Sequence, residues 1–242
     1  MIRELMMRYG RSYLGFFWVI LEAMILTVGV LVVWSSIRSP YEHGVRIIEI
    51  LVTGYMPLTL WRHMTNPMIL LLRRSTALLY HRPISTLDII VARQLLEFIA
   101  ISTAFAAVYF ALLGFGVSSP IQDWSLALVG WLAMAALSFG VGLIILVLTE
   151  LNEISERFIQ PFQYLMLPIS GFVFMVDWLP PPAQKLILFN PMVHCFEMFR
   201  AGYFGGSVTT QYSPVYVFGW AVALTCIGLW LLHRIRDRLQ IS

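Results

Sequence analysis

The chain contains 242 residues, of which 59% are hydrophobic and 12% are charged, and its mean hydropathy is +0.79. Soluble domains carry about 25% charged residues, so this composition predicts a protein whose solvent is the lipid bilayer. It excludes a soluble enzyme and a disordered tail. The net charge of +3 forms no basic stripe for nucleic acid, and two cysteines, Cys195 and Cys226, are too few for a disulfide framework. We therefore expect one transmembrane domain over residues 1–242.

Six apolar stretches are long enough to cross the bilayer as helices, because a helical span needs about 20 residues. In chain order they cover approximately 13–37, 47–72, 95–117, 124–148, 158–176 and 215–232. Pro57 and Pro67 interrupt the second stretch, and Pro161 and Pro168 interrupt the fifth. Membrane helices tolerate proline where neighbouring helices satisfy the freed carbonyls. The sequence thus predicts an all-α membrane protein with six transmembrane helices.

Two further apolar segments are too short to cross the bilayer. Residues 1–13 place apolar side chains on one helical face and Arg3, Arg8 and Arg11 elsewhere around the helix, which is typical of a helix in the headgroup region. Residues 177–212 contain two short apolar halves that an Asn-Pro pair separates. We predict an amphipathic interface helix before the first span and short re-entrant helices between the fifth and sixth spans.

The positions of arginine and lysine predict the orientation, because cytoplasmic loops of membrane proteins are enriched in these residues. With six spans, eleven of the 16 basic residues fall on one side: Arg3, Arg8, Arg11, Arg73, Arg74, Arg82, Arg93, Arg157, Arg234, Arg236 and Arg238. We expect that side, with both termini and the loop 73–93, to be cytoplasmic. The outer loops hold Arg38, Arg46, Lys185 and Arg200. These four could attract an acidic polymer or be ordinary loop charges.

Several kinds of catalytic site are missing from the sequence. The one lysine, Lys185, does not follow a glycine-rich stretch, so a phosphate-binding loop cannot form. The five histidines are dispersed, with no HExxH or paired CxxC pattern, and no G-x-S-x-G elbow is present. We predict no catalytic residues, no metal site and no cofactor bound by this chain. Its energy must come from a partner, an ion gradient or the substrate.

The beginning of the first span carries a specific pattern. Residues 8–22 read R-Y-G-R-S-Y-L-G-F-F-W-V-I-L-E. This resembles the R-[YF]-x-x-x-x-L-G-x-x-W-x-x-L-E-P pattern of bacterial capsule-polysaccharide export permeases, with Ala23 in place of the final proline. Further stretches resemble that family in the same order: 51–57, 66–80, 83–88, Ala92-Arg93, 161–171, 179–182, 190–194 and 199–204. The chain is thus similar to the membrane subunits of one type of ATP-binding-cassette exporter.

This resemblance implies a homodimer in the bacterial inner membrane that carries two cytoplasmic ATPase subunits, on which ATP and Mg bind. The path would lie at the dimer interface and export a lipid-linked capsular polysaccharide. Exporters of O-antigen or teichoic acid are related alternatives, and the docking of a periplasmic co-polymerase and an outer-membrane export factor stays open. An ion-coupled carrier or a membrane enzyme is the alternative class, although carriers usually show inverted repeats and none is visible here.

The loop before the third span contains the candidate coupling residues Pro83, Ile84, Ser85, Thr86, Leu87 and Asp88. Ser85 or Thr86 can cap a short helix whose first turn carries Asp88. The resemblance places here a helix that docks on the ATPase; a solvated connecting loop is the alternative. Glu150 and Glu153 form a second candidate contact, or else a charged helix face.

Candidate substrate-path residues combine one charge with several aromatic rings. They are Arg62, Trp34, Tyr55, Trp61, Phe172, Phe174 and Trp178. Arg62 could face the path and accommodate an acidic glycan, or form an ion pair with Glu22 or Glu97. The aromatic rings could stack on sugars or belong to the aromatic belt of the membrane interface. Arg3, Arg8 and Arg11 suit the phosphate-bearing head of a lipid anchor.

Overall fold

The computed structural model describes residues 14–37, 41–75 and 85–239, and its regular structure is almost entirely helical. In chain order the described helices are α1 (Leu14–Ile37), α2 (Ile47–Thr65), α3 (Leu71–Arg74), α4 (Thr86–Gly114), α5 (Trp124–Leu151), α6 (Glu153–Ile169), α7 (Pro181–Ile187), α8 (Pro191–Phe204) and α9 (Pro214–Leu239). The strands β1 (Tyr41–Glu42) and β2 (Val45–Arg46) pair antiparallel, and 3₁₀ turns occupy Asn66–Met68, Val176–Trp178 and Gly205–Ser207. The predicted interface helix at 1–13 lies outside the described residues.

Four stretches of helix are long and apolar enough to cross a membrane: residues 20–37 of α1, all of α4, all of α5 and residues 214–235 of α9. They correspond to the first, third, fourth and sixth predicted spans, and the regular structure of the described residues fits the predicted all-α class. The second predicted span becomes α2, which ends at Thr65 because the Asn-Pro pair that follows begins a 3₁₀ turn. The fifth becomes α6, which begins at Glu153, before its predicted start.

Polar side chains at the helix starts explain several of these boundaries. Asp123 precedes α5 and accepts hydrogen bonds from the backbone N–H groups of Ser125 and Leu126. The hydroxyl of Ser125 and these N–H groups lower the pKa of the Asp123 carboxyl. Asn152 caps α6 and Asn190 caps α8 in the same way. Such caps satisfy N–H groups that have no partner within the helix.

Helix α5 lies at the centre of the described bundle. Its most extensive contacts are with α9 and α8, followed by α2, while α1 packs on α4 and α2. Within the candidate spans, 67% of α5 is buried, compared with 17% of α1 and 22% of α9. The outer helices therefore expose large apolar side chains, which is expected where lipid or another subunit covers them.

Two ends of the bundle can be distinguished. The hairpin end carries β1 and β2 and the connection from α4 to α5; there Arg46 Nη1 donates to the carbonyls of Gly116 and Val117, both at 3.1 Å. The loop end carries residues 66–75 and Asn152, where α5 gives way to α6. A separate apolar cluster at the loop end includes Met68, Leu72, Ile90, Leu146 and Ile235.

The predicted helices within 177–212 are present as α7 and α8, separated by residues 188–190. Helix α8 is buried along almost its whole length, mainly against α5. Residue 202 of α8 approaches the beginning of α5, where the Asp123 N–H donates to the Gly202 carbonyl at 2.9 Å. The pair α7–α8 thus occupies the hairpin end of the bundle.

Candidate transport and coupling sites

One face of α2 combines the predicted path residues Tyr55 and Arg62. With Thr59 they follow the spacing i, i+4, i+7, which places them on the same side of the helix. The Arg62 guanidinium lies 5.6 Å from the centroid of the Tyr164 ring of α6, at cation–π distance. Arg62 and Tyr55 are half-buried, and Tyr164 is exposed. A cation beside aromatic rings is the chemistry that suits an anionic or hydroxylated ligand, and the path role of this face stays a prediction.

Glu97, one of the two carboxylates considered for an ion pair with Arg62, has other partners. Arg93 Nη2 lies 2.5 Å from Glu97 Oε1, and His63 Nδ1 lies 3.2 Å from Glu97 Oε2. Glu22, the other candidate, is exposed on α1. The described contact of Arg62 is with Tyr164, a residue that the sequence did not single out because the approach of α6 to α2 is a long-range contact.

The six predicted path aromatics do not share one environment. Trp61 is 3% exposed and belongs to the main apolar core, and Trp34 and Phe172 pack against that core. Trp178 stacks on His43 of the hairpin, with 4.6 Å between the ring centroids. Half-buried Phe174 lies in the same segment as Phe172. Their role in the path stays a prediction, and the burial of Trp61 favours a packing role for it.

Arg200 corrects one expectation from the sequence. It is fully buried, and so it is not a charge on an outer loop that attracts a polymer. Its Nη1 donates to the carbonyls of Gly171 at 2.8 Å and Phe174 at 2.6 Å, and its Nη2 donates to the Phe172 carbonyl at 2.8 Å. A guanidinium can serve several carbonyls at once because its donors form a rigid fork. We call this arrangement the Arg200 clamp.

Glu197, one turn before Arg200 on α8, completes the clamp. Its carboxylate lies 3.8 Å from Arg200 Nη1 and accepts hydrogen bonds from the N–H groups of Val176 at 3.2 Å and Gln211 at 3.0 Å. A signal was available in the sequence, since a Glu and an Arg at i, i+3 in an apolar helix can pair on one face. The clamp fixes the segment 171–176 to α8.

Gly54 of α2 lets the clamped segment approach the predicted path. A Cβ at this position would overlap the carbonyl oxygen of Phe172 and lie 3.2 Å from Arg200 Nη2. The backbone of Phe172 thus touches α2 beside Tyr55. The structure therefore joins α2, α8 and the 171–176 segment next to the polar face of α2.

The candidate coupling residues that the structure describes lie at the start of α4. The Ser85 hydroxyl accepts from the Leu87 N–H at 3.1 Å, and the Asp88 carboxylate accepts from the Ser85 N–H at 2.9 Å. This capping box starts a helix of 29 residues, longer than the short helix that the sequence predicted. Leu87 and Asp88 are exposed and Thr86 is half-buried. They are open to a partner.

The remaining predicted site residues are either buried or outside the part of the chain that the structure describes. Glu150 is buried and contacts the segment before the coupling loop, and Glu153 begins α6, with its side chain outside the described part. Pro83 and Ile84 lie outside the described residues, as do Arg3, Arg8 and Arg11. Within the ranges that the structure describes, no group of three or more His, Cys, Asp or Glu side chains is placed to hold a metal ion.

Comparison with known proteins shows the class of protein to which the chain belongs. Residues 1–204 match the family described as ABC-2 type transporter. The chain belongs to this family of membrane transport proteins.

Named relatives cover almost the whole chain. It is 36% identical over 234 residues to the capsule polysaccharide export inner-membrane protein CtrC of Neisseria meningitidis serogroup A, covering 97% of this chain and 88% of the relative. It is 35% identical over 231 residues to the capsule polysaccharide export inner-membrane protein BexB of Haemophilus influenzae, covering 95% and 86%. It is also 25% identical over 249 residues to the polysialic acid transport protein KpsM of Escherichia coli, covering 100% and 93%.

Proposed function

We propose that this protein is the permease subunit of an ATP-driven exporter that moves lipid-linked capsular polysaccharide across the bacterial inner membrane. The observation that carries the proposal is similarity over nearly the full chain to capsule polysaccharide export inner-membrane proteins at 33–36% identity. These names favour capsular polysaccharide over O-antigen or teichoic acid as the substrate.

The proposed topology has six spans and both termini in the cytoplasm, with the loop end facing the cytoplasm. α2 and α6 provide the second and fifth spans, and α7 and α8 are re-entrant helices on the outer side. The burial of α8 supports this assignment, because a short helix at membrane depth must have its backbone covered by protein. We place the interface helix, and with it the entrance for the lipid anchor, at residues 1–13.

In the proposed assembly, two copies of this chain bind two cytoplasmic ATPase subunits, which supply ATP and Mg. The polar face of α2 supports a path between copies, since a half-buried arginine in a membrane helix needs water, an ion or another subunit beside it. The ATPase would dock at the start of α4, where Leu87 and Asp88 are exposed. A periplasmic co-polymerase and an outer-membrane export factor would meet the hairpin end.

Co-purification tests this function. The chain should co-purify with a cytoplasmic ATPase, and lipid-linked capsular polysaccharide should stimulate ATP hydrolysis by the complex but not by the ATPase alone. A matched assay with a lipid-linked O-antigen tests the substrate class. Nucleotide hydrolysis by this chain alone, or glycolipid movement driven by an ion gradient without the ATPase, would contradict the proposal and favour the membrane-enzyme or carrier alternative.

A further inference from the structure

The loop end of α5 holds the segment that leads into the predicted coupling loop. Glu150 Oε1 accepts hydrogen bonds from the backbone N–H groups of Leu72 at 3.0 Å and Arg73 at 3.2 Å. The Arg73 side chain closes on the same residue, with Nε 3.4 Å from Glu150 Oε2 and Nη2 donating to the Glu150 carbonyl at 3.2 Å. Thr149 Oγ1 accepts from the Leu70 N–H at 3.2 Å. We call these contacts the α3–α5 latch.

Burial of the latch separates its role from that of a docking surface. The side chain of Glu150 is 1% exposed, whereas that of Arg73 is 43% exposed. A buried carboxylate is not accessible to a cytoplasmic protein. The burial of Glu150 therefore favours a role inside this chain over direct binding of the ATPase. A charged acceptor of backbone N–H groups also contributes more than a neutral one when it is buried.

Both flanks of the coupling loop reach the same region of the bundle. Before the loop, Leu71 and Leu72 belong to the loop-end apolar cluster, together with Leu146 of α5. After the candidate coupling residues 83–88, Ile89 and Ile90 of α4 belong to that cluster as well. A force applied to residues between these flanks therefore arrives at the end of α5.

Helix α5 can carry a displacement from one end of the bundle to the other. It runs without interruption from the Asp123 cap to Leu151, and it packs along α9, α8 and α2. Its contact with α8 connects the loop end to the Arg200 clamp and, through Phe172, to the polar face of α2. Close-packed interiors have low compressibility and transmit strain, so a displacement of α5 acts on the helices packed against it.

We propose that the α3–α5 latch transmits motion of the ATPase from the coupling loop to the spanning helices, with Glu150 acting as a positioning residue. This role rests on the proposed function, since it requires a partner that moves the loop. Glu150 holds the start of the coupling loop against α5, so that the two move together. The Arg73 side chain covers the Glu150 carboxylate. Loss of the latch leaves the ATPase bound but lets the loop move without α5.

The test uses the full complex of this chain with its ATPase. Glu150→Ala removes the acceptor, Glu150→Gln keeps an amide oxygen for the N–H groups but removes the charge, and Arg73→Met removes the ion pair. Asp177→Asn, an exposed carboxylate at the hairpin end, is the matched control. Each variant is measured for ATPase co-purification, basal hydrolysis, glycolipid-stimulated hydrolysis and thermal stability.

We expect Glu150→Ala to retain the ATPase and basal hydrolysis but to lose stimulation by about tenfold, with a smaller loss for Glu150→Gln, because the amide still accepts the N–H groups. Asp177→Asn should match the parent. Normal stimulation of Glu150→Ala, or loss of ATPase binding in a folded Glu150→Ala chain, overturns the latch. If that variant does not fold, Glu150→Gln and Arg73→Met decide by the same criteria. A parent chain that binds no ATPase contradicts the proposed function itself.

Discussion

Arg200 and Arg62 are both arginines in an apolar chain, yet their surroundings differ. Arg200 is fully enclosed and donates to three backbone carbonyls beside Glu197, and these contacts offset the cost of burying its charge. Arg62 is half-buried, and its described neighbour is an aromatic ring. The first arrangement is suited to holding a fold together and the second to meeting a ligand. A charge in the sequence alone does not distinguish them, because the distinction depends on contacts between distant segments.

Replacing Arg200 should destabilise the protein strongly. Arg200→Met leaves the carbonyls of Gly171, Phe172 and Phe174 without their donor and Glu197 without its cation, which should cost about 3–5 kcal/mol. Arg200→Lys keeps the charge but loses the forked arrangement of donors, so its stability should lie between that of the parent and that of Arg200→Met. Thermal unfolding in detergent measures the effect, and Lys185→Met, on exposed α7, is the control. Equal melting temperatures for Arg200→Met and Lys185→Met would contradict a structural clamp.

Replacing Arg62 should affect export more than assembly. Arg62→Met removes the cation from the polar face of α2 and should lower export of an acidic polysaccharide about tenfold, whereas Arg62→Lys should retain part of the activity. Export is measured in a complex reconstituted with the ATPase, and assembly by the yield of that complex. A low yield with normal export per complex would show that Arg62 has a structural role.

At the scale of elements, the sequence predicts the long apolar helices well and the shorter ones less precisely. The fourth span coincides with α5, and the third corresponds to α4, which begins at Thr86, before the predicted start at residue 95, because the Ser85 cap starts the helix within the predicted loop. The second was predicted to end at residue 72, but the Asn-Pro pair at 66–67 ends α2 earlier. The fifth begins earlier than predicted because α6 starts with polar residues at an Asn152 cap. Hydrophobicity identifies lipid-compatible segments but not the polar turns that continue a helix beyond them.

The contact between α9 and α5 should depend on a glycine at one position of α9 and not at another. A Cβ at Gly228 would lie 2.6 Å from the Cβ of Leu143, whereas a Cβ at Gly219 meets nothing within 4 Å. Gly228→Ala should therefore destabilise by about 1–3 kcal/mol through overpacking. Gly219→Ala should be neutral or stabilising, since alanine favours a helix by up to about 1 kcal/mol. Thermal unfolding compares them, and equal stability of the two variants would show that the helices are not packed this closely.

At the scale of the whole molecule, composition and apolar stretches were enough to predict an all-α membrane protein. The matching motifs along the chain were enough to predict its family. The sequence could not predict the long-range contacts between side chains and backbone. The Arg200 clamp joins residues about 30 positions apart, and the α3–α5 latch joins residues about 77 positions apart. Such pairings depend on how helices assemble, and one sequence contains no direct record of them.

Translocation in proteoliposomes is the most direct measurement of what the molecule does. The chain is reconstituted alone, with its ATPase, and with an ATPase variant that binds but does not hydrolyse ATP, and transfer of lipid-linked capsular polysaccharide across the bilayer is followed. Transfer should occur only with the active ATPase and ATP. Transfer by the chain alone, or equal transfer with the inactive ATPase, would contradict the proposed role of the chain as a subunit driven by a partner.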